Sequence, residues 1–292
     1  MPIASVVIAT HNRATQLADC LDALAKQSKR EQFEIVVVDN GSQDSTQAVI
    51  AQYANTNVRG VFVSDPNRAK ARNAGIAAAG GRIVIFCDDD TVAPQDFVAE
   101  HVRVHDEKHP SVVSGPIINV PDKDQRVVPS ARHYSRAFFC TCNVSVAKAD
   151  LEAVGGFDER YDLYGWEDTD IGIRLRARGL ARIFAWPAYI YHIKPPRAMT
   201  LERRRQLAVE KGTMAARFVR KAPSWPVRLA TGAYGVNFAR GAIVNAKPLR
   251  ALYERLVRAA RPGSVLEAVA SEALVDAAYL DALKTALRRA EC

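Results

Sequence analysis

Ile83-Val84-Ile85-Phe86-Cys87-Asp88-Asp89-Asp90-Thr91 leads five apolar residues directly into three consecutive carboxylates. An unbroken apolar run predicts a strand that is buried on both faces, as in the centre of a parallel sheet. The carboxylates cannot stay unpaired in that core, so we expect them at the carboxyl edge of the sheet, where open α/β sheets bind ligands. Three adjacent acids repel one another unless a cation lies among them, and hard oxygen ligands suit Mg²⁺ or Mn²⁺. The alternative is an acidic, solvated turn.

Strands alternate with short helices in the part of the chain around this run. The predicted strands cover residues 4–10, 33–39, 58–63 and 83–87. The segments between them have the apolar periodicity of helices. This alternation predicts a mostly parallel, doubly wound α/β sheet.

The turns that follow the first two predicted strands carry polar side chains. Thr10, Asn12 and Arg13 occupy the first turn, which lacks the glycines of a dinucleotide-binding fold. Asp39 ends the second strand, where an acid can hold a ribose hydroxyl. We therefore predict a nucleotide ligand and exclude a dinucleotide.

Beyond residue 111 the pattern becomes less regular. Extended segments are predicted at residues 112–115, 138–146 and 183–192, with a long mobile loop at 120–136 and a helix at 166–178. Residues 200–292 have helical periodicity. The most apolar part of that tail carries arginines and is too short to span a bilayer comfortably.

Charge is unevenly distributed along the 292 residues. Residues 1–196 carry 22 basic and 24 acidic residues, a net charge of −2, whereas residues 197–292 carry 18 and 8, a net charge of +10. The entire basic excess lies in the last third of the chain. This predicts a boundary near residue 196 and an anionic partner for the tail.

The five cysteines do not form a disulfide or zinc pattern. They are scattered, odd in number and without a C-x-x-C pair: Cys20, Cys87, Cys140, Cys142 and Cys292. Reduced thiols in the cytosol are the simplest interpretation. No basic and apolar leader precedes the first predicted strand, so we expect a cytoplasmic protein.

Six motifs, in order along residues 1–195, resemble those of family-2 glycosyltransferases with the GT-A fold. They are V-I-A-T-H-N-R, V-V-V-D-N-G-S-Q-D-S-T, N-R-A-K-A-R-N-A-G-I, F-C-D-D-D-T-V-A-P, G-G-F-D-E and G-W-E-D-T-D-I-G-I-R-L. The resemblance implies an inverting, metal-dependent transferase that uses a nucleotide sugar, UDP-linked by preference. It implies a catalytic domain at residues 1–196, with a nucleotide-sugar half at about 1–115 and an acceptor half at about 116–196. Residues 197–292 would form a basic helical extension.

The resemblance also assigns donor-binding residues. They are Thr10, Arg13, Asp39, Asp44, Arg72, Asp88 and Asp89. Thr10, Arg13 and Asp39 would line the nucleoside pocket, Arg72 would approach the phosphates, and Asp88 would face the ribose. Asp89 is the middle acid, with no defined partner.

Several of these assignments have structural alternatives. Asp44 fits an N-cap acid equally well, and Arg72 fits an exposed helix charge. Asp90 would bind the cation, Mn²⁺ or Mg²⁺, and His192 would complete the metal site. The alternative for His192 is a structural histidine.

Glu167 and Asp168 form a second pair of acids at the start of a predicted helix. The resemblance implies that Asp168 is the general base, with Glu167 and Trp166 at the acceptor. A helix N-terminus favours the ionised acid, so we expect a lowered pKa for Asp168. The alternatives are simple helix capping for the acids and core packing for Trp166.

Other function classes fit less well. A phosphatase of the D-x-D-x-T type is excluded, because Thr91 follows Asp90 directly and Val92 takes the required position. No nucleic-acid partner is expected, since the tail interleaves arginine with apolar residues at helical spacing.

We expect a glycan or lipid-linked acceptor, in cell-envelope or exopolysaccharide synthesis. The tail would contact the anionic inner face of the cell membrane. The alternative for the tail is that its helices pack on the catalytic domain or on a second subunit of an oligomer. The alternatives are a soluble transferase with a small-molecule or protein acceptor, and a non-catalytic nucleotide-sugar-binding homologue.

Overall fold

The computed structural model describes residues 1–28, 33–194 and 199–289. Its strands are β1 (Ala4–Thr10), β2 (Phe33–Asp39), β3 (Val58–Phe62), β4 (Ile83–Cys87), β5 (Thr91–Val92), β6 (Ser111–Ser114), β7 (Ile117–Val120), β8 (Asn143–Ala147), β9 (Ala181–Phe184) and β10 (Ile190–Ile193). Its helices are α1 (Ala14–Leu24), α2 (Thr46–Gln52), α3 (Arg68–Ala78), α4 (Phe97–Glu107), α5 (Lys148–Ala153), α6 (Glu167–Ala177), α7 (Leu201–Lys221), α8 (Trp225–Thr231), α9 (Gly235–Val244), α10 (Lys247–Ala259) and α11 (Val265–Arg288).

The described residues form a seven-stranded sheet in the order β3-β2-β1-β4-β8-β6-β9. The first four strands of that order run parallel, joined through α1, α2 and α3. The strand β8 is antiparallel to both of its neighbours, while β6 and β9 are parallel to each other. The predicted mostly parallel, doubly wound α/β sheet is confirmed.

Both faces of the sheet are covered, which is why its central strands are apolar at consecutive positions. In β1 the side chain of Val7 packs on one face, in the core cluster that includes α3 and α6. Val6 and Ile8 point to the other face and pack in the cluster that includes α1 and α4. A glycine allows α3 to approach the sheet, because a Cβ at Gly75 would lie 2.3 Å from a methyl carbon of Val7.

Two predicted extended segments differ from the structure. The segment predicted at 138–146 begins as a strand only at Asn143, because the residues before it turn past the start of α6. The segment predicted at 183–192 is two strands in two different sheets, β9 and β10, separated by a turn. Apolar and aromatic runs do not reveal where a chain passes from one sheet to another.

A smaller sheet has the strand order β5-β10-β7. Its strand β5 directly follows the acidic triplet, and β10 pairs with β5 so that His192 is opposite Thr91. Val120, the first residue of the predicted loop at 120–136, ends β7, and the rest of the loop is irregular apart from a 3₁₀ turn at Ala131–His133. Lys123 in this loop forms an ion pair of 2.6 Å with Asp19 of α1.

The chain divides into two compact units, Met1–Asp162 with Glu167–Pro196, and Leu163–Trp166 with Arg197–Cys292. The predicted boundary at residues 196 and 197 lies outside the described residues, as does Cys292. The inclusion of Leu163–Trp166 in the second unit was not predicted. The second unit is helical, and α7 and α11 are its longest helices. Within the described ranges, no helix combines the length and the apolar character needed to cross a bilayer.

Candidate active site

The adjacent strands β2, β1 and β4 place polar side chains at one edge of the main sheet. Thr10 ends β1 opposite Asp39 at the end of β2, and both are buried. Asp88 follows the end of β4, the neighbour of β1 on the other side. Parallel strands present their carboxyl ends at the same edge, so this is the position at which α/β sheets bind ligands.

Asp39 has one carboxylate oxygen held by the protein and one that is free to bind a ligand. Its Oδ1 accepts a hydrogen bond of 2.9 Å from the backbone N–H of Ser42. Its Oδ2 is buried and accepts no hydrogen bond from the described residues. A buried carboxylate oxygen without a donor is unfavourable in the free protein, so Asp39 is suited to a ligand hydroxyl or N–H.

Asn12 joins the two turns beside Asp39. It has a positive φ of 53°, its N–H donates to Ser42 Oγ at 2.9 Å, and its side-chain oxygen accepts from the N–H of Gln43 at 2.7 Å. Asn tolerates the left-handed conformation better than most residues. Asn12 was noted in the sequence as a polar turn residue, without this role.

Asp44 supports the starts of two helices. One of its oxygens accepts from the N–H of Thr46 at 3.0 Å, at the start of α2. The other accepts from the N–H of Ala14 at 3.2 Å, at the start of α1. The N-cap residues of α1 and α2 are Arg13 and Ser45, so Asp44 supports both helix starts without being the N-cap residue of the alternative. Donor binding by Asp44 stays a prediction.

The first carboxylate cluster consists of Asp88, Asp89 and Asp90 with Arg13 and His192. The Arg13 Nη1 atom lies 3.0 Å from Asp89 Oδ1 and 2.7 Å from Asp90 Oδ2. Burial raises the pKa of Asp89 to about 6, against the lowering effect of Arg13. Burial also acts to raise the pKa of Asp90, but His192 and Arg13 outweigh it and the pKa is lowered. Asp90 is therefore the more readily ionised of the two.

His192 reaches this cluster from the smaller sheet. Its Nε2 atom lies 3.2 Å from Asp90 Oδ1. Ligand atoms of His192, Asp88 and Cys142 also lie within 4.8 Å of one another. Carboxylate oxygens and an imidazole nitrogen are suitable ligands for Mn²⁺, and the carboxylates for Mg²⁺. His192 thus lies next to carboxylate oxygens of the kind that a divalent cation takes, those of Asp90 and of Asp88, although Arg13 shares the Asp90 carboxylate.

Sequence reasoning did not single out Cys142. This residue directly precedes β8, and the antiparallel pairing of β8 with β4 puts its neighbour Asn143 opposite Cys87. The sequence signal was the pair Cys140-Thr141-Cys142, which has no zinc spacing and is weak alone. Only the antiparallel pairing brings Cys142 to Asp88.

The second carboxylate cluster consists of Glu167 and Asp168 with Arg72 and Thr141. Arg72 extends from α3, and its Nη1 lies 3.1 Å from Glu167 Oε1 and 3.6 Å from Asp168 Oδ1. The backbone N–H and the hydroxyl of Thr141 both donate to Asp168 Oδ2, at 2.9 and 3.0 Å. Arg72 is therefore a nearly buried charge that pairs with acids, which differs from the exposed-helix alternative; its contact with donor phosphates stays a prediction.

The expectation of a lowered pKa for Asp168 is wrong. Burial raises the pKa of Asp168 to about 6, and Glu167 also raises it, while Arg72 and Thr141 lower it. Asp168 is the second residue of α6, but a helix terminus provides a small effect compared with desolvation. Its side chain keeps a quarter of its surface exposed, and its Oδ1 accepts no hydrogen bond from the described residues.

Trp166 packs within the second unit. Its ring stacks on Phe218 with centroids 5.6 Å apart, and its Nε1–H donates to the carbonyl oxygen of Lys211 at 2.9 Å. These contacts correspond to the core-packing alternative. Binding of the acceptor by Trp166 or Glu167 stays a prediction.

Comparison with protein families identifies the class of this protein as a glycosyltransferase. The model "Glycosyl transferase family 2" matches residues 5–157, just over half of the chain. The model "N-terminal domain of galactosyltransferase" matches residues 127–197. The chain belongs to glycosyl transferase family 2.

Known proteins resemble the chain along most of its length. Validoxylamine A glucosyltransferase of Streptomyces hygroscopicus subsp. jinggangensis is 30% identical over 313 residues, which cover 92% of this chain and 72% of the relative. The mannosyltransferase PcManGT of Pyrobaculum calidifontis, solved with GDP-Man and Mn²⁺, is 21% identical with a TM-score of 0.64 over 100% of this chain and 88% of that one. Residues 1–349 of S. aureus TarS, solved with UDP-GlcNAc, are 20% identical with a TM-score of 0.59 over 100% and 92%. These two structures confirm the predicted GT-A fold.

Proposed function

We propose that the chain is an inverting, metal-dependent glycosyltransferase in which Asp168 is the general base. The observation that carries this proposal is the position of the Asp168 carboxylate. Thr141 holds Oδ2 with two hydrogen bonds, while the buried Oδ1 accepts none from the described residues. Arg72 lies 3.6 Å from Oδ1, beyond hydrogen-bond distance. An oriented carboxylate with one oxygen that accepts no hydrogen bond is suited to take a proton from an acceptor hydroxyl.

The pKa of Asp168 supports this role. A value of about 6 leaves the carboxylate mostly ionised at pH 7 and close enough to neutrality to accept a proton efficiently. As Asp168 takes the proton, the acceptor oxygen forms a bond to the anomeric carbon, and the bond from that carbon to the diphosphate breaks on the opposite face. This displacement inverts the anomeric configuration.

The first carboxylate cluster would hold the leaving diphosphate through a divalent cation. Asp90 and His192 would be its ligands, with Asp88 beside them. When bound, Mn²⁺ or Mg²⁺ supplies the positive charge that offsets the diphosphate. Arg13 already neutralises part of the cluster, at 2.7 Å from Asp90.

The proposed donor is a UDP-sugar, bound with its nucleoside at Thr10 and Asp39. The uncommitted Oδ2 of Asp39 supports a hydrogen bond to the nucleoside. Solved structures of this fold hold UDP-GlcNAc and GDP-Man, so the identity of the donor's nucleobase must be tested directly. A thermal-shift screen of UDP-, GDP- and dTDP-sugars with Mn²⁺ or EDTA does this, because a ligand of the folded state raises the melting temperature. A shift with UDP-sugars that EDTA removes supports the proposal; no shift with any of the donors contradicts it.

The stereochemistry of the product tests the inverting mechanism. With an α-linked donor, we expect proton NMR of early product to show the β-anomeric coupling. An α-linked product would contradict direct displacement and would require a nucleophile on the enzyme or a front-face mechanism.

The proposed acceptor is a glycan or lipid-linked hydroxyl in envelope or exopolysaccharide synthesis. TarS, named as a poly(ribitol-phosphate) β-N-acetylglucosaminyltransferase, supports a polymer acceptor. A second candidate is a small-molecule acceptor, which the name of validoxylamine A glucosyltransferase favours. Radiolabelled UDP-sugar offered with a membrane fraction or with validoxylamine A distinguishes them: label that enters only the small molecule contradicts the polymer acceptor.

We also propose that the second unit adsorbs to anionic membrane. Large apolar side chains are exposed there, among them Trp225 (60% exposed), Val236 (79%) and Ile243 (71%). Every residue of α10 is at least partly exposed, and its arginines interleave with leucines. Part of the basic charge of the second unit is neutralised by ion pairs within it. Arg250, for example, pairs with Asp281 at 2.6 Å. Apolar residues beside basic ones suit the interface of an anionic bilayer.

Vesicle flotation tests the membrane contact. The full chain should float with anionic vesicles at low salt and remain with the soluble fraction at high salt or with neutral vesicles. The double variant Trp225→Ser with Ile243→Ser should float less. Val128→Ser is the matched control, because Val128 is an exposed apolar residue (83%) of the first unit. Failure of the wild type to float with anionic vesicles at low salt contradicts membrane adsorption.

A further inference from the structure

Three different metal-ligating side chains converge beside the first carboxylate cluster. Asp88, Cys142 and His192 each offer one ligand atom, and these atoms lie within 4.8 Å of one another. They come from three elements: Asp88 follows β4, Cys142 precedes β8, and His192 lies in β10. The pairing of β4 with β8 fixes the first two, and the pairing of β10 with β5 fixes the third. The backbone therefore holds the three residues together without any ligand.

We propose that Asp88, Cys142 and His192 form a binding site for a thiophilic divalent cation, for which Zn²⁺ is the representative. Thiolate, imidazole and carboxylate are the three ligand types that zinc accepts. Ligand atoms around a tetrahedral zinc lie about 3.5 Å apart. Side-chain rotations that move the ligand atoms by roughly an ångström are therefore enough to bring them to that separation. Three protein ligands leave a fourth position for water or a phosphate oxygen.

Cys142 makes this site different from one for Mg²⁺. Magnesium prefers oxygen ligands, so a thiol beside it contributes nothing to binding. A thiophilic cation instead forms a bond to the sulfur, and the thiol proton is released to solvent. The ligand atoms of Cys142 and Asp88 lie within 4.8 Å of each other, so the two are neighbours in the free protein.

The proposal rests on the proposed function in one respect, because it shares His192 and Asp88 with the donor site. His192 lies 3.2 Å from Asp90 and also belongs to the thiol-containing set. A cation held at Cys142 would draw His192 away from Asp90. Zn²⁺ should therefore compete with Mn²⁺ and weaken the binding of the nucleotide diphosphate.

Cobalt provides a readout that does not depend on activity. Co²⁺ bound to a thiolate has a near-ultraviolet charge-transfer absorption, which Co²⁺ bound to oxygen and nitrogen alone lacks. We expect this absorption when Co²⁺ is titrated into the full chain, with reversal by Zn²⁺ but not by a large excess of Mg²⁺. Cys142→Ser should abolish the absorption and weaken Zn²⁺ binding by at least about tenfold, the scale on which disturbing a metal site lowers affinity.

Two control variants separate Cys142 from the other thiols. Cys140→Ser removes a thiol two residues away that is outside the ligand set. Cys20→Ser is the stricter control, because the Cys20 sulfur lies 3.7 Å from the carbonyl oxygen of Asp88. Both controls should retain the absorption. An absorption that survives in Cys142→Ser, or that disappears in Cys20→Ser alone, overturns the proposal.

The wild type alone also tests the site if Cys142→Ser does not fold. Alkylation of the thiols, mapped by mass spectrometry, should be slowed at Cys142 by Zn²⁺ and unchanged by Mg²⁺. Equal alkylation of Cys142 in both cations, or no cobalt absorption in the wild type, rejects the zinc site. The binding of UDP in the presence of Mn²⁺ is measured in a separate calorimetric titration. Absence of Mn²⁺-dependent UDP binding would contradict the proposed donor site without affecting the cobalt test of the zinc site.

Discussion

The two carboxylate clusters combine the same kinds of residue, but the acids to which we assign roles, Asp90 and Asp168, have opposite pKa shifts. The pKa of the buried Asp89 of the first cluster is raised to about 6, as that of Asp168 is. In the first cluster, His192 and Arg13 lower the pKa of Asp90. In the second cluster, burial raises the pKa of Asp168 to about 6 although Arg72 is close.

Asp90 has two cationic or hydrogen-bonding partners, His192 at 3.2 Å and Arg13 at 2.7 Å. Arg72 lies 3.6 Å from Asp168 and closer to Glu167, at 3.1 Å, and does not offset the burial of Asp168. An arginine beside two acids thus need not ionise both equally.

This contrast suggests a division of roles. An acid that stays ionised is suited to a cation, and an acid with a pKa near 6 is suited to a proton. In our proposal the first cluster therefore holds the donor and the second cluster acts on the acceptor. The following experiments can break or sharpen that division.

The largest effect is expected from Asp168→Asn. The variant retains the shape of the side chain and removes the proton acceptor, so turnover should fall by about 100-fold or more. Steady-state kinetics with a fixed donor measure this loss. Asp65→Asn is the matched control, because Asp65 is an exposed acid that pairs with Lys70. Turnover within a few fold of the wild type in Asp168→Asn would exclude Asp168 as the base.

A third buried polar cluster, formed by His101, His105, Asn143 and Ser145, contains no carboxylate and can be compared with the first two clusters. His101 bonds Ser145 Oγ at 2.8 Å and Asn143 Oδ1 at 3.0 Å, and His105 contacts the same Ser145 hydroxyl at 2.9 Å. Burial lowers the pKa of His101 to about 3 and that of His105 to about 4. Both residues are thus neutral in the fold and serve its core.

These histidines predict a loss of stability in acid. In the unfolded chain they take up protons near pH 6.5, whereas in the fold they do so only near pH 3 to 4, so the unfolded state binds more protons between those values. The contribution of each histidine to the free energy of unfolding should therefore fall by up to about 1.4 kcal/mol per pH unit as the pH drops below 6.5. The raised pKa values of Asp89 and Asp168 act in the opposite direction, so the comparison with a histidine variant isolates this contribution. Urea unfolding at pH 7 and pH 5 measures the slope. His105→Gln should reduce the slope, and an unchanged slope would contradict a neutral His105.

A smaller effect concerns the pH dependence of turnover. Because Asp168 must be ionised to accept a proton, kcat/KM should decrease as the pH falls through about 6. Thr141→Val removes one hydrogen bond that favours the ionised form, so this limb should move to higher pH. A pH–rate profile of both proteins tests this. A limb that stays in place or moves to lower pH in Thr141→Val would show that another group controls it.

The parallel part of the fold could be predicted because its signals are local. Apolar runs that end in Thr10, Asp39 and Asp88 identify strands, and parallel strands bring their ends to one edge. The remainder depends on pairing between distant segments. The antiparallel strand β8 brings Cys142 to Asp88, and the residues just before it bring Thr141 to Asp168.

The direction of the pKa shift of Asp168 also could not be predicted from the sequence. The position of Asp168 at a helix start predicts a lowered pKa, but the burial of the carboxylate is set by the whole cluster and has the opposite effect. The pairing of Arg72 with Glu167 also could not be predicted, because α3 and α6 are separated by about ninety residues. Sequence periodicity reports on local structure and does not show which distant segments meet.

Calorimetry of UDP with Mn²⁺ or with EDTA, in the wild type and two variants, tests the division of roles most directly. Asp90→Asn should bind UDP with the same weak affinity in Mn²⁺ and in EDTA, because the cation has lost its main carboxylate. Asp168→Asn should retain the Mn²⁺-dependent affinity of the wild type within a few fold, because Asp168 acts on the acceptor. The opposite result would be UDP binding that still depends on Mn²⁺ in Asp90→Asn and no longer depends on it in Asp168→Asn. It would assign the cation to the second cluster and contradict the proposed division of roles.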